Sequence, residues 1–136
     1  MRNSFAKKIT ELATINNKLT LLAGDIGNRL FDDFKRQNPD KFFNCGVAEQ
    51  NMIGVAAGLA SEGFKVITTT FAPFQTMRCC EQIKVNLGYM KQNVCTVGIA
   101  SGLALGALGY THCCIEDLSI MRSIPEIVVI SPADSL

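Results

Sequence analysis

Glu49 is the carboxylate of this sequence that is best placed to do chemistry. It follows a β-rich run at 42–45 and lies at the start of a helical stretch at 48–61. A glutamate in the first turn of a helix is ordinarily a favourable charge at the positive end of the helix dipole. However, Gly54 and Gly58 have the G-x-x-x-G spacing that indicates a close neighbour, and a carboxyl group beside a tightly packed site is desolvated. The sequence leaves both interpretations open.

Two aromatic side chains and a histidine form a second group of candidates. Phe71 and Phe74 bracket an Ala-Pro pair at the end of a β-rich run, where they either fill the core or offer flat faces to a planar ring. Met77, three residues further on, falls on the same face of the predicted helix as Phe74. His112, the single histidine, follows a glycine-rich stretch at 106–109. It is either a candidate for handling a proton or a hydroxyl group, or a surface residue without a role.

A further candidate is Asp25, in the loop 24–28 that reads Gly-Asp-Ile-Gly-Asn. This loop lacks the G-x-G-x-x-G spacing of a dinucleotide-binding turn, and it lacks the lysine of a phosphate-binding loop. Asp25 is therefore either a ligand contact at the end of a strand or a cap for the helix that follows.

The elements that must position these residues alternate along the chain. β-rich runs predict strands at 19–23, 42–45, 65–70, 94–100 and 127–130. Helices are predicted at 4–16, 29–37, 48–61, 74–89 and 115–122. This alternation predicts the α/β class, with residues 1–136 in a single doubly wound domain. Its central sheet should be mostly parallel, with helices on both faces. Ligands bind at the carboxyl ends of such strands, so we expect one edge to gather the loops 24–28, 46–50, 70–74 and 101–114.

Composition excludes several classes of protein. The 136 residues are 48% apolar and 18% charged, with a formal net charge of +1, so neither disorder nor a nucleic-acid footprint is indicated. No apolar run reaches the roughly 18 residues that span a bilayer, and the first residues lack a signal-peptide core. We therefore expect a cytoplasmic location. The six cysteines include two adjacent pairs and no C-x-x-C, which favours small buried hydrophobes over a zinc site.

Taken in series, these blocks resemble the transketolase family. The run at 43–52, Phe-Asn-Cys-Gly-Val-Ala-Glu-Gln-Asn-Met, is similar to the family signature around the glutamate that contacts the cofactor. Further similar blocks follow in order and with the right gaps, at 54–60, 70–74 with Arg78, 109–112, 115–117, 121–125 and 131–134. Each block alone is weak, but together they span nearly the whole chain.

The resemblance implies that this chain is a pyrimidine-binding domain that supplies half of the active site of a thiamine-diphosphate-dependent enzyme. A separate pyrophosphate-binding domain or subunit would hold the diphosphate and Mg²⁺. The resulting homo- or hetero-oligomer would transfer a ketol unit between sugars or sugar phosphates. Glu49 would hydrogen-bond a nitrogen of the aminopyrimidine ring, and His112 would be the second catalytic residue. The other cofactor contacts implied are Asp25, Phe71, Phe74 and Met77.

Departures from the family pattern bear on the substrate. Ala107 and Leu108 stand where the family has an acid pair, and Ala100 stands where it has a second histidine. These changes remove sugar contacts while the cofactor contacts are kept. The alternatives are another thiamine enzyme with this domain, such as deoxyxylulose-phosphate synthase or the beta part of a ketoacid dehydrogenase, or a non-catalytic interaction module of the same fold.

Overall fold

The central element is an all-parallel β-sheet, as the alternation of runs predicts. The computed structural model describes residues 1–27 and 29–135; Asn28, in the predicted loop 24–28, and Leu136 lie outside the described residues. Within the described residues, the sheet has four strands in the order β2-β1-β3-β4. They are β1 (Leu19–Ala23), β2 (Phe42–Asn44), β3 (Lys65–Phe71) and β4 (Val94–Ile99).

Helices cover both faces of this sheet, so the predicted α/β class is confirmed. On one face, α1 (Arg2–Ile15) and α2 (Asp32–Gln37) pack on Leu19 and Leu21 of β1. On the other face, α3 (Glu49–Ser61) packs on Leu22 and Val66 through Met52 and Ala56. The two sets of strand residues alternate because successive side chains of a strand point to opposite faces. All five residues of β1 are buried, as expected for a strand covered on both sides.

The predicted helix at 74–89 is wrong as a single element. The structure has a short α4 (Ala72–Gln75), a turn, and α5 (Cys80–Gln82), which continues as a π-helix at Ile83–Tyr89. The Ala72 carbonyl oxygen accepts from both the N–H and the hydroxyl of Thr76, at 3.0 and 2.7 Å, a side-chain bond that tends to bend a helix. The Arg78 N–H then donates five residues back, to the Pro73 carbonyl oxygen at 3.2 Å, so the α-helical register is lost. The interruption matters because Arg78 lies in the turn between the two helices.

The predicted strand at 127–130 is also wrong, although its side chains alternate as those of a strand do. Ile127 and Val129 pack partly buried on the core beneath α3, whereas Val128 and Ile130 are 84% and 78% exposed. No strand of the described residues pairs with this segment. The continuous apolar run therefore identified a segment that packs on the core, but the segment lacks the ladder of hydrogen bonds that defines a strand.

The remaining boundaries differ slightly from prediction. Strand β4 ends at Ile99, because Ala100 has a φ of +57°, a left-handed conformation that a strand does not continue through. The last helix, α6, covers Asp117–Arg122, and short 3₁₀ turns occupy Pro39–Lys41, Gly106–Leu108 and Tyr110–His112. In the described part of the chain, no helix is long and apolar enough to cross a membrane.

Candidate active site

Glu49 lies in the first turn of α3 with its side chain only 3% exposed. A glycine makes this burial possible. A methyl group added at Gly24, at the end of β1, would lie 2.9 Å from Cγ of Glu49 and 3.1 Å from Cβ of Thr70. The Thr70 hydroxyl donates to the Gly24 carbonyl oxygen at 3.1 Å, so β1, β3 and α3 meet at this point. Gly24 therefore lets the carboxylate approach the sheet edge.

One arginine contacts both the carboxylate and an aromatic ring. Nη1 of Arg78 donates to Oε2 of Glu49 at 2.7 Å. Cζ of the same guanidinium lies over the ring of Phe74, 4.0 Å from its centroid. Nε2 of Gln50 donates to the Arg78 carbonyl oxygen at 3.0 Å, which fixes the backbone of the turn. A planar cation is thus held between a carboxylate and an aromatic face, an arrangement that both charge and the ring quadrupole favour.

The structure brings together Phe71 at the end of β3, Phe74 in α4 and His112 in the turn that follows β4. The ring of His112 lies 5.2 Å from that of Phe74 and 5.9 Å from that of Phe71, centroid to centroid, and the two phenyl rings are 6.2 Å apart. All three contacts are edge-to-face, the geometry that aromatic pairs prefer. The Thr111 hydroxyl and Nδ1 of His112 are 3.0 Å apart, which orients the imidazole. His112 is half-buried in this cluster rather than free on the surface.

Asp25 lines a cavity that also touches Phe71. It is exposed, with a φ of +49°, and its backbone N–H donates to Oδ1 of Asn44 at 3.2 Å. It does not cap α2, which begins only at Asp32. The cavity, of about 480 Å³, is lined by Arg2, Asn3, Asp25, Ile26, Gly27, Arg29, Leu30, Phe71 and Ile99. Phe71 thus lines this cavity and also contacts Phe74 and His112, neither of which lines it.

Met77 is the candidate whose surroundings differ most from the prediction. Because α4 ends at Gln75, Met77 lies in the following turn rather than on a helical face shared with Phe74, and it is 49% exposed. Arg78, in the same turn, was missed as a site residue. Its signals in the sequence are its place in the family-like block at 70–78 and its position four residues after Phe74, a spacing that brings side chains together in a helix and does so here across a turn.

The thiol of Cys79 adjoins this charged pair. The pKa of Cys79 is raised to about 12, mainly by burial and in addition by the Glu49 carboxylate, while the Arg78 guanidinium opposes the shift. The thiol donates to the carbonyl oxygen of Phe74 at 3.1 Å. At neutral pH it is therefore a protonated structural group and a poor nucleophile. Within residues 1–27 and 29–135, no three His, Cys, Asp or Glu side chains gather as a metal-ligand set.

Comparison with known proteins identifies the family. The family model described as transketolase, pyrimidine binding domain, matches residues 1–136. This chain belongs to the transketolase pyrimidine-binding domain family. It is 37% identical to one of the subunits of the apulose-4-phosphate transketolase of Phocaeicola vulgatus, over 98% of this chain and 43% of that protein. It is 41% identical to a putative transketolase C-terminal section of Methanocaldococcus jannaschii, with the same shares covered.

A solved structure agrees with this transketolase assignment. A split gene transketolase, described as an inactive beta4 tetramer, superimposes with a TM-score of 0.85 at 38% identity, over 98% of this chain and 43% of that one. This transketolase domain therefore spans less than half the length of the relatives that it matches.

We predict that Gly24→Ala displaces Glu49 and destabilises the domain. The new methyl group has no room against Glu49 and Thr70, and forced overpacking typically costs about 1–3 kcal/mol. Gly54→Ala is the matched control, because nothing lies within 4 Å of a methyl group added there. In the interior of α3 it should stabilise by up to about 1 kcal/mol. Urea unfolding of the two variants measures both effects; equal effects would contradict the packing of Glu49 against Gly24.

Proposed function

We propose that this chain binds the aminopyrimidine ring of thiamine diphosphate and supplies half of the active site of a transketolase-like enzyme. The observation that carries the proposal is the buried Glu49 carboxylate, which holds a planar cation against the face of Phe74. A pyrophosphate-binding domain or subunit would provide the diphosphate site and Mg²⁺. The whole enzyme would transfer a ketol unit between sugars.

The chemistry of these side chains fits the cofactor ring. An aminopyrimidine is flat, carries N–H donors and gains proton affinity beside a carboxylate. The Arg78 guanidinium is likewise flat and rich in N–H donors, and Glu49 and Phe74 already hold it by one hydrogen bond and one stacking contact. Gly24 leaves the carboxylate room at the sheet edge, where any larger residue would intrude. A ring nitrogen and ring face could therefore replace the guanidinium contact for contact.

Each candidate residue has a distinct task in this proposal. Oε2 of Glu49 shares a proton with the ring nitrogen, and Phe74 provides a stacking face. Phe71 closes the pocket on the side of the neighbouring cavity. His112 contacts both phenyl rings, from where it would hold or move a proton on a substrate hydroxyl. Met77 and Asp25 are proposed as peripheral cofactor contacts. The bound thiamine diphosphate supplies an electron sink for carbon–carbon bond cleavage.

Glu49→Gln in the assembled enzyme should lower turnover by about 10²–10⁴-fold and weaken cofactor binding much less. The amide still reaches the ring nitrogen but cannot share a proton with it. Hydrogen–deuterium exchange at the thiazolium carbon, followed by NMR, reports this step directly. Glu62→Gln is the matched control, because Glu62 is an exposed glutamate at the end of the same helix. Equal exchange in both variants would remove Glu49 from this role.

An uncharged face of α3 supports the proposed partner. Asn51, Gly54, Val55 and Gly58 are all exposed on this face, and nothing lies within 4 Å of a methyl group added at either glycine. The close neighbour that the G-x-x-x-G spacing predicts is therefore not in the described part of this chain. We propose that a partner chain packs against this face in a homo- or hetero-oligomer.

The free thiols of all six cysteines suit the proposed cytoplasmic location.

Gly58→Leu should weaken assembly with a pyrophosphate-binding partner more than about tenfold, a loss of roughly 1.4 kcal/mol, and leave the isolated chain at least as stable. A leucine side chain would hold the partner away, whereas leucine is a better helix former than glycine. Sedimentation of the two chains, mixed and separate, measures both quantities. Thr14→Leu, at an exposed position of α1, serves as the control. If both variants assemble like the wild type, this face is not the interface.

The proposed substrate is a sugar or a sugar phosphate. The cavity beside Phe71 has Arg2 and Arg29 in its lining, which suit an anionic group. Leu108 is 56% exposed in the turn that leads to His112. At this place the resembled family has an acid, which would accept a hydrogen bond from a substrate hydroxyl. Ala100, in place of the second family histidine, lies at the end of β4. We therefore propose a substrate that lacks a hydroxyl at these contacts.

Leu108→Asp should improve turnover of ordinary ketose phosphates by about tenfold, since restoring one hydrogen-bond partner is worth roughly 1.4 kcal/mol of transition-state stabilisation. Turnover of the corresponding deoxy analogues should not improve. The measurement is kcat/KM for both substrate sets in the complex with the partner. Leu103→Asp, also exposed in the preceding loop, controls for added negative charge. A wild type that already matches the variant on ketose phosphates would exclude Leu108 as a specificity determinant.

A further inference from the structure

Arg78 makes, with a single planar group, both contacts that the proposed function assigns to the cofactor ring. Its Nη1 lies 2.7 Å from Oε2 of Glu49, and its Cζ lies 4.0 Å from the centroid of Phe74. The distance to the ring is that of direct stacking, with no room for a second flat group between them. The guanidinium and an aminopyrimidine cannot occupy the same carboxylate oxygen and ring face together.

We infer that Arg78 is a positioning residue that stands in for the aminopyrimidine ring until the cofactor binds, and that it must swing out for the ring to enter. The inference rests on the proposed function, because it takes Glu49 and Phe74 as the ring's contacts. The inference adds that the Arg78 side chain competes with thiamine diphosphate for the site and thereby lowers the apparent affinity of the chain for the cofactor.

The different burial of the two partners explains why such a stand-in is useful. The Glu49 side chain is 3% exposed, whereas the Arg78 side chain is 38% exposed. A buried carboxylate without a counter-charge is strongly unfavourable, and the guanidinium compensates it in the free chain. Because Arg78 reaches the site from the solvent side, it can leave without unpacking the core. Glu49 and Phe74 are thereby held in their ligand-binding positions in advance.

The turn that carries Arg78 suits this movement. Thr76 to Cys79 form neither α4 nor α5, so the arginine is not locked into a helical ridge. Its backbone is nevertheless fixed by the bond from Gln50 and by the bond from its own N–H to the Pro73 carbonyl oxygen at 3.2 Å. The side chain alone therefore has to move. A competitor of this kind lowers the apparent affinity by the fraction of chains in which the site is open.

Titration of the 136-residue chain with two probes tests the inference. The probes are thiamine diphosphate and its ring fragment, 4-amino-5-hydroxymethyl-2-methylpyrimidine, and binding is followed by NMR shifts of Phe74 and His112. Arg78→Met removes the charge and the planar group but keeps an apolar side chain of similar reach. It should bind both probes at least about tenfold more tightly than the wild type, because the site is open in a larger fraction of chains. Arg78→Lys, which keeps the charge but cannot stack as a plane, should be intermediate.

Arg36→Met is the matched control, because Arg36 pairs with the exposed Asp33 on α2, away from the site; it should bind as the wild type does. In the wild type, the Nε–H signal of Arg78 should move to the position of a solvent-exposed arginine when the fragment saturates the site. If Arg78→Met does not fold, the Nε–H signal of the wild type and the affinity of Arg78→Lys for the two probes test the inference instead. Binding that is equal or weaker in the Arg78 variants, or an unmoved Nε–H signal at saturation, overturns the inference and leaves the proposed function standing. If neither probe binds to the wild type or to any variant, the inference about Arg78 and the proposed function are both overturned.

Discussion

The structure depends on one buried carboxylate and the means by which its charge is tolerated. Burying Glu49 requires a counter-charge, which Arg78 provides, and it requires space, which Gly24 provides. It also requires that the ends of β1 and β3 lie directly beside the first turn of α3, since Gly24 and Thr70 form the floor beneath the side chain. The two strands are parallel, with Ala23 opposite Thr69, and this register places the next residues, Gly24 and Thr70, side by side.

The same constraint relates the fold to the chemistry. A parallel sheet gathers the loops that follow its strands at one edge, and here three of those loops contribute an acid, two phenyl rings and an imidazole. The two phenyl rings come from one segment, but the acid and the imidazole reach the site from two others. Phe74 and His112 are separated by α5, the π-helix, β4 and a long loop, yet their rings lie 5.2 Å apart. The topology of the sheet, more than any single sequence motif, therefore brings the site residues together.

Much of this arrangement could be predicted from the sequence, and the limits have physical causes. The buried strands were visible as continuous apolar runs, and Glu49, Phe71, Phe74 and His112 lie where parallel topology requires. The prediction of one helix at 74–89 failed because the backbone hydrogen bonds shift register after Thr76, where the Arg78 N–H donates to Pro73, and hydrophobic periodicity does not detect such a shift. The predicted strand at 127–130 failed because a strand needs a neighbour to pair with, which an apolar, β-rich run by itself does not supply. Arg78 reaches Glu49 from the turn that interrupts this helix, so their ion pair could not be predicted from a single continuous helix.

Strand β4 has a consequence for the behaviour of the chain in solution. It forms one edge of the described sheet, pairing with β3 on one side, and its sequence, Val-Cys-Thr-Val-Gly-Ile, carries no charge. An uncharged edge of this kind is a template for strand addition between molecules. Purified by itself, the chain would thus tend to form aggregates as its concentration rises. The exposed thiol of Cys95 on this strand offers a labelling position that reports whether the edge is covered.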